Sequence, residues 1–224
     1  MGRALRTDVG EYVYHVLNRA NARSTLFKKK SDYQLFEEVL EDAQQRFGMR
    51  ILAYTVMPNH WHLVLYPKCD GDLSKFVNWF TLTHTQRWHA AHQTTGHGHL
   101  YQGRYKSFLC EEDTHFIQLV RYVERNPLRA NLVRRAEDWQ WGSAWRRARG
   151  TPKQKKLLTD WPVPMPRDYA ALLHEPQSEN EVEAMRQTVT RGNPFGSSTW
   201  VEETIKKFKL ETTIRPRGRP KKGS

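Results

Sequence analysis

The chain has 224 residues, 38% of them hydrophobic, which predicts one mixed α and β domain of ordinary size plus an appendage. Its 36 Lys and Arg residues outnumber its 24 Asp and Glu residues, so the formal net charge of +12 favours a polyanionic partner. The sequence has no apolar run long enough to span a bilayer, no signal-peptide pattern and no CxxC motif. We therefore expect a cytoplasmic protein without a membrane partner, a disulfide framework or a zinc knuckle.

Apolar periodicity predicts strands and helices up to residue 126. Alternating β-forming residues indicate strands, whereas apolar residues at helical spacing indicate helices. In chain order we predict a strand at 11–17, a helix from Ser31 or Asp32 to about Phe47, strands at 49–56 and from residue 60 onward, a helix from Asp72 to about His92, a strand at 103–110 and a helix from Asp113 or Thr114 to Asn126. This β-α-β-β-α-β order contains the split βαβ unit of ferredoxin-like folds and adds a C-terminal helix, so we expect an α+β fold with an antiparallel sheet.

The rest of the chain is predicted to extend a first domain that we place at residues 1–148. Prolines at positions 152, 162, 164, 166 and 176 indicate a linker or an extended wrap over 149–178. Two short helices are expected at 179–190 and 199–210, the second opened by a capping box of Thr199 and Glu202. Residues 179–214 are therefore predicted to form a mainly helical C-terminal extension.

The final segment, 215–224, is a basic tail without an acidic residue. Its core, Arg-Gly-Arg-Pro at 217–220, resembles an AT-hook, an extended peptide whose arginines enter the narrow minor groove of A·T-rich DNA. A generic basic tail is the alternative. The side chains expected to bind DNA are Arg215, Arg217, Arg219, Lys221 and Lys222.

Two histidines lie on the strand that follows the turn Met57-Pro58-Asn59. Because side chains alternate between the faces of a strand, His60 and His62 point the same way and their rings could hold one divalent metal ion. The intervening Trp61 points the other way, into packing. The alternative interpretation is a partly exposed polar edge.

A tyrosine stands on the last predicted helix of the first domain. At about 100° per residue, Tyr122 and Asn126 line up with His115 beside a buried apolar stripe. Tyr122 is thus a candidate nucleophile with a neighbouring metal ligand, Asn126; the alternative is a tyrosine packed at the edge of a core. Since a phenol has a pKa of about 10, it would need help from a metal, from a cation such as Arg125, or from a base such as His115.

These two motifs together resemble the single-tyrosine HUH endonucleases, the transposases of the IS200/IS605 type, over residues 9–147. Further matching segments occur in the same order: Tyr-His-Val-Leu-Asn-Arg at 14–19, Gly-His-Leu-Tyr-Gln-Gly-Arg-Tyr-Lys-Ser at 98–107 and Tyr-Val-Glu-Arg-Asn-Pro at 122–127. The Asn-Pro after the tyrosine resembles the REP-associated tyrosine transposases in particular. The insertion-sequence enzymes commonly have glutamine where Asn126 stands, and the asparagine amide reaches less far.

The resemblance implies a fold, a site and a reaction. The tyrosine helix would pack against the histidine strand, and His60, His62 and Asn126 would hold Mg²⁺ or Mn²⁺. Tyr122 would attack a phosphate of single-stranded DNA at a REP-like palindromic hairpin, giving a 5′-phosphotyrosine and a free 3′-hydroxyl. The protein would be a bacterial, nucleoid-associated monomer or homodimer active in DNA transposition and recombination.

Further cations outside the tail are expected to contact DNA. Arg19 belongs to a polar, basic loop, and Arg125 borders the line of Tyr122. Arg104 and Lys106 share a face of the predicted fourth strand, where binding of a phosphate or simple solvation are both open.

Two other functions remain open at this point. One is a DNA-hairpin-binding protein that keeps the fold but no longer cleaves. The other is an RNA-binding module on the same scaffold, which would need exposed aromatic residues on the central strands.

Overall fold

A computed structural model describes residues 7–96 and 98–214 of the chain. The basic tail at 215–224, with its predicted DNA-binding side chains, lies outside the described residues. In the described part of the chain, no helix is both long and apolar enough to cross a bilayer.

The elements follow the predicted order. The strands are β1 (Val13–Arg19), β2 (Arg50–Met57), β3 (His60–Tyr66) and β4 (Lys106–Cys110). The helices are α1 (Lys30–Phe47), α2 (Asp72–Ala91), α3 (Thr114–Glu124), α4 (Asn126–Arg129), α5 (Ser143–Arg149), α6 (Pro152–Lys155), α7 (Tyr169–His174), α8 (Glu179–Arg191), α9 (Ser198–Phe208) and α10 (Glu211–Ile214). The strands form one sheet in the order β2-β3-β1-β4, and every neighbouring pair is antiparallel. The ferredoxin-like α+β prediction is confirmed.

The sheet is covered on both faces because its side chains alternate. Trp61, Leu63 and Leu65 of β3 belong to a buried cluster with apolar residues of α1 and α2. Val64 lies on the other face, in a cluster with the buried stripe of α3. His60 and His62 share the face of Val64, so the predicted tyrosine helix and the histidines lie on the same side of the sheet.

Strand register places two cations on this histidine face. Leu17 of β1 is paired with His62 on one side and with Lys106 of β4 on the other. Arg19 is paired with His60. Because directly paired residues of antiparallel strands point to the same face, Arg19 and Lys106 share that face with the histidines.

The tyrosine helix ends earlier than predicted. α3 stops at Glu124, and Arg125 keeps helical backbone angles before the short helix α4 begins at Asn126. Pro127 lies in the first turn of α4, where backbone N–H groups have no intrahelical acceptor, so the missing N–H of proline costs no hydrogen bond. The proline therefore lies at the start of a new helical turn, a position that it tolerates.

Two predicted helix starts were wrong by a few residues. α1 begins at Lys30, and the carboxylate of Asp32 accepts the backbone N–H groups of Lys28 and Lys29 instead of standing at the cap position. α9 is capped by Ser197, whose hydroxyl accepts from the N–H of Trp200, so Thr199 is not the cap. Gly48 ends α1 in the left-handed conformation, close to the predicted end at Phe47.

The proline-containing segment packs onto the domain. Leu157, Tyr169 and Leu173 are all buried, and the segment includes α6 and α7. Residues 149–178 are thus a wrap and not an unpacked linker, because proline fixes φ without preventing side chains from packing. The division of the chain into units at 148, 178 and 214 stays a prediction.

The helical extension covers the outer edge of the sheet. Phe195, between α8 and α9, forms a parallel bridge with Cys110 at the end of β4. Its N–H donates to Leu109 O at 2.8 Å, and its carbonyl accepts from the N–H of Glu111 at 2.9 Å. These bonds satisfy backbone groups that an edge strand would otherwise leave to solvent.

Candidate active site

His60 and His62 lie side by side at the start of β3. Their ring centroids are 5.1 Å apart, with an angle of 76° between the planes. His62 is buried and His60 is half-buried. The prediction that the two rings share a face is confirmed by the structure.

The Nδ1 atom of each ring has a neighbour that can fix its tautomer. His60 Nδ1 lies 2.6 Å from Asn59 Oδ1, an acceptor, so this nitrogen carries the proton. His62 Nδ1 lies 2.8 Å from His15 Nε2. When His62 Nδ1 donates to His15, the Nε2 atoms of both histidines carry the lone pairs that a metal ion needs.

Burial keeps both imidazoles neutral. It lowers the pKa of His60 to about 4, with a further contribution from the positive charge of Arg19. Burial also lowers the pKa of His62 well below its usual value, helped by His15. Since neutral imidazole is the form that ligates metals, the pair fits a divalent cation.

The third predicted ligand, Asn126, is tied to the helix that precedes it. Its amide nitrogen donates to Tyr122 O at 3.1 Å and to Val123 O at 3.3 Å. These bonds fix the amide nitrogen at the end of α3, while the amide oxygen keeps its capacity to accept. A metal-ligand role for Asn126 remains a prediction.

Tyr122 lies against the histidine pair. Its ring centroid is 6.0 Å from that of His62, and the two planes meet at 85° in an edge-to-face contact. α3 reaches this position because Phe116, Leu119 and Val120 are buried against the sheet. The fold therefore brings together two motifs that are far apart in the sequence.

The guanidinium beside Tyr122 belongs to Arg129. Its central carbon lies 4.4 Å from the centroid of the Tyr122 ring. Its Nη2 donates to the main-chain carbonyl oxygen of Tyr122 at 2.5 Å. Arg125, which we expected there, is buried and donates from Nη1 to Leu173 O. The spacing of seven residues between Tyr122 and Arg129 was the signal that sequence reasoning missed.

His115 does not lie beside the phenol. It stands in the first turn of α3, where its N–H and Nδ1 are both within hydrogen-bond distance of Asp113 Oδ1, at 2.7 and 2.9 Å. Its ring packs against Phe195, with centroids 5.3 Å apart. The expectation that His115 could act as a base for Tyr122 was wrong, because Asp113 and Phe195 hold its ring at the opposite end of α3.

The electrostatic surroundings of Tyr122 favour the neutral phenol. Burial raises its pKa above the usual value, and the positive charges of Arg129, Arg186 and Arg19 partly offset this effect. Arg186 lies on α8, in the extension, and was not among the predicted site residues. Tyr122 is therefore protonated at neutral pH in the protein without DNA.

A basic cleft of about 740 Å³ adjoins the histidine face. One wall comes from the ends of β1 and β4 and the chain before β4, and the other comes from the end of α8 and from residues 210 and 213. No acidic side chain is found among the described residues that line it. Its cationic lining residues are Arg19, Arg104, Lys106 and Arg191.

A second group of potential metal-binding atoms lies at the start of α3. The donor atoms of Glu111, Asp113 and His115 are all within 4.8 Å of one another. Glu111 accepts from the N–H of Ser197 at 2.6 Å, and Asp113 caps α3. The group is explained by capping and by docking of the extension.

Comparisons with known proteins identify a family for the chain and a solved structure with a similar fold. A family model described as "Transposase IS200 like" matches residues 8–126. A solved structure of a REP-associated tyrosine transposase bound to a REP hairpin superposes with a TM-score of 0.55 and 21% identity, over 67% of this chain and 87% of that chain. A proposed transposase from Deinococcus radiodurans R1 superposes with a TM-score of 0.40 and 23% identity, over 56% of this chain and 95% of that chain. No curated protein matches the sequence.

Proposed function

Because the chain belongs to the IS200-like transposase family, we propose that it is a metal-dependent endonuclease and strand transferase acting on single-stranded DNA at REP-like palindromic hairpins. The observation that carries this proposal is the contact between Tyr122 and His62, whose ring centroids are 6.0 Å apart. The choice of a hairpin substrate is supported by the similar REP-associated tyrosine transposase, which was solved with a REP hairpin.

The metal would be held by the histidine pair, with Asn126 as the third ligand. A bound Mg²⁺ or Mn²⁺ would polarise the scissile phosphate and neutralise the negative charge that develops on it. Two neutral imidazoles favour Mn²⁺ over Mg²⁺ in intrinsic affinity, so availability would decide the working ion. His15 and Asn59 orient the rings of His62 and His60 through their Nδ1 atoms.

Tyr122 would be the nucleophile. Its phenol oxygen attacks the phosphorus, the bond from phosphorus to the 3′-oxygen breaks, and the DNA 5′ end becomes joined to the tyrosine. The proton lost by the phenol balances the proton gained by the departing 3′-oxygen. Attack by a 3′-hydroxyl on the phosphotyrosine reverses these changes and joins two DNA ends, which completes strand transfer.

The DNA strand would run from the histidine face into the basic cleft. Arg19 is paired directly with His60. Lys106 and His62 are both paired with Leu17, on its two sides, so both cations lie close to the site. Arg104 and Arg191 line the cleft beyond them. We propose that these side chains contact phosphates and set the position of the strand without reading its sequence.

One chain supplies both the histidines and the tyrosine in the structure. This arrangement supports cleavage by the tyrosine of the same chain, in a monomer or in each half of a homodimer. The RNA-binding alternative has less support, because Tyr14 and Trp61, aromatic residues of the two central strands, are buried under α1 and α2.

The proposal is tested by a covalent-adduct gel. The protein is incubated with Mn²⁺ and a DNA hairpin labelled on the 3′ side of the cut, then denatured and separated. We expect a labelled protein band for the wild type and for the control Tyr66→Phe, and no band for Tyr122→Phe or for the double change His60→Ala with His62→Ala. A hairpin-binding protein without cleavage would give no band in any sample.

A further inference from the structure

Three arginines spaced four residues apart connect the tyrosine helix to one short segment of the wrap. Side chains at this spacing lie on the same side of a helix, and here all three reach residues 173–177. The hydrogen bonds run from Arg121 Nη2 to Glu175 O at 3.1 Å, from Arg125 Nη1 to Leu173 O, and from Arg129 Nη1 to Gln177 Oε1 at 2.9 Å.

The same segment is anchored to α3 at a second place. Tyr169 donates its hydroxyl to Glu124 Oε2 at 2.8 Å, and Glu124 is only 1% exposed. Glu124 also accepts from Ser143 and Arg147 of α5. We call residues 169–177 the strap, because they hold the C-terminal half of α3 and the turn after it.

Of the three arginines, Arg129 contacts the nucleophile. Its guanidinium lies over the Tyr122 ring at 4.4 Å and donates to Tyr122 O, while its other terminal nitrogen is held by Gln177 of the strap. A planar guanidinium can make both bonds and the stacking contact at once, which an ammonium group cannot. The strap lies beyond residues 8–126, the range matched by the family model.

We propose that Arg129, held by Gln177, is the positioning residue for Tyr122, and that the strap thereby sets the orientation of the nucleophile. This inference rests on the proposed function. The ring of Tyr122 is only 7% exposed and meets His62 edge to face, and the guanidinium stacked across it restrains its tilt further. Reaction rates are sensitive to misplacement of a reacting group.

The first test compares rates of adduct formation in single-turnover reactions with saturating hairpin and Mn²⁺. We expect Arg129→Ala to lower the rate on the order of 10²-fold, because the phenol of Tyr122 would be displaced although it is still present. Hairpin affinity should be kept. Arg129→Lys should recover only part of the rate, and Gln177→Ala should give a smaller loss. Arg121→Ala is the matched control. It removes another arginine bond to the strap, the one to Glu175 O, but Arg121 does not contact Tyr122. The rate of the folded variant should therefore stay near wild type.

The second test does not depend on activity. Tyr122 is replaced by meta-fluorotyrosine and its fluorine NMR resonance is recorded without DNA or metal. We expect the resonance to shift or broaden in Arg129→Ala and Gln177→Ala, and to stay in place in Arg121→Ala. Should the wild type form no adduct, the proposed function would fail, yet the resonance would still report on the position of the ring.

Two results would overturn the inference. One is adduct formation by Arg129→Ala at the wild-type rate, or an unchanged Tyr122 resonance in that variant. The other is a parallel loss of rate and hairpin affinity, which would make Arg129 a DNA contact. If Arg129→Ala fails to fold, Arg129→Lys and Gln177→Ala decide the matter with the same measurements.

Discussion

At the scale of single residues, the central feature is the pair of hydrogen-bonded Nδ1 atoms. His15 reaches His62 from the neighbouring strand β1, and Asn59 reaches His60 from the hairpin turn. A ligand ring whose other nitrogen is bonded is held in one tautomer and one orientation. In the proposed metal site, His15 and Asn59 would thus orient the two ligand rings without binding the metal ion themselves.

We therefore predict that His15→Phe weakens binding of Mn²⁺ on the order of 10- to 100-fold. The phenylalanine ring keeps the packing against Phe108, where the His15 centroid lies at 4.7 Å, but it cannot accept from His62. Isothermal titration with Mn²⁺ measures the change. His92→Phe, at the end of α2, is the control and should bind like the wild type. Equal affinity in His15→Phe would mean that His62 needs no partner.

The residue-scale predictions from sequence succeeded where one element decided the geometry. His60 and His62 share a face because strand periodicity requires it. Arg125 and His115 were misplaced, because the end of α3 and the cap at Asp113 depend on local hydrogen bonds that helical periodicity does not describe. Arg129 was missed because the helix was predicted to end at Asn126, although the bonds from Arg125 N–H to Arg121 O and from Arg129 N–H to Arg125 O keep its spacing helical.

At the scale of elements, α3 is held by a buried charge as well as by apolar packing. Glu124 is almost fully buried, and its carboxylate is bonded by Ser143, Arg147 and Tyr169. Removing one partner of a buried network leaves the others unpaired, which costs more than an exposed ion pair contributes.

We predict that Glu124→Ala lowers the free energy of unfolding by about 3–5 kcal/mol, since it leaves the partly buried guanidinium of Arg147 without its carboxylate and the buried hydroxyl of Tyr169 without its acceptor. Urea denaturation followed by circular dichroism gives the value. The control is Glu183→Ala, which removes an exposed pair with Arg186 on α8 and should cost about 0–1 kcal/mol. A similar small loss in both variants would show that the network is solvated in solution.

The order of strands and helices could be predicted because each element has a clear period and short connections. The positions of the wrap and of Phe195 could not. Prolines mark the segment 149–178 as extended, but whether an extended chain packs depends on Tyr169 and Leu173 finding buried sites, which are created by distant parts of the chain. Long-range pairing of Phe195 with the edge of β4 leaves no local pattern either.

At the scale of the whole molecule, acid should unfold the protein partly through buried neutral histidines. His84 is fully buried, Tyr101 bonds its Nδ1 at 2.8 Å, and burial lowers its pKa to about 3. The unfolded chain takes up a proton near pH 6.5 and the folded chain does not. The stability contribution is therefore complete above pH 6.5 and is lost as the pH falls toward 3.

We predict that His84→Asn makes stability less dependent on pH in this range. The asparagine amide can keep a bond to Tyr101 but does not titrate. Because the variant takes up one proton fewer on unfolding, its free energy of unfolding changes with pH less steeply, by about 1.4 kcal/mol per pH unit. Urea midpoints between pH 6 and pH 4 measure the slopes of both proteins, and identical slopes would show that His84 is accessible to protons in the folded state.

The net charge of +12 also belongs to the whole molecule. We predict that deleting residues 215–224 weakens binding to DNA and makes it less dependent on salt, because fewer counterions are released. The cleaved position should stay the same, since phosphate and groove contacts outside the site do not select it. Binding at several salt concentrations and sequencing of the cleavage products check both points, and a moved cut would show that the tail reads sequence.

The measurement that tests the account most directly is identification of the residue joined to DNA. The wild-type protein is reacted with Mn²⁺ and a hairpin, digested with protease and nuclease, and the crosslinked peptide is mapped by mass spectrometry. The account predicts a nucleotide attached through its 5′-phosphate to Tyr122, and no such adduct from Tyr122→Phe. Attachment to any other residue, or cleavage of the hairpin by Tyr122→Phe at the wild-type rate, would contradict it.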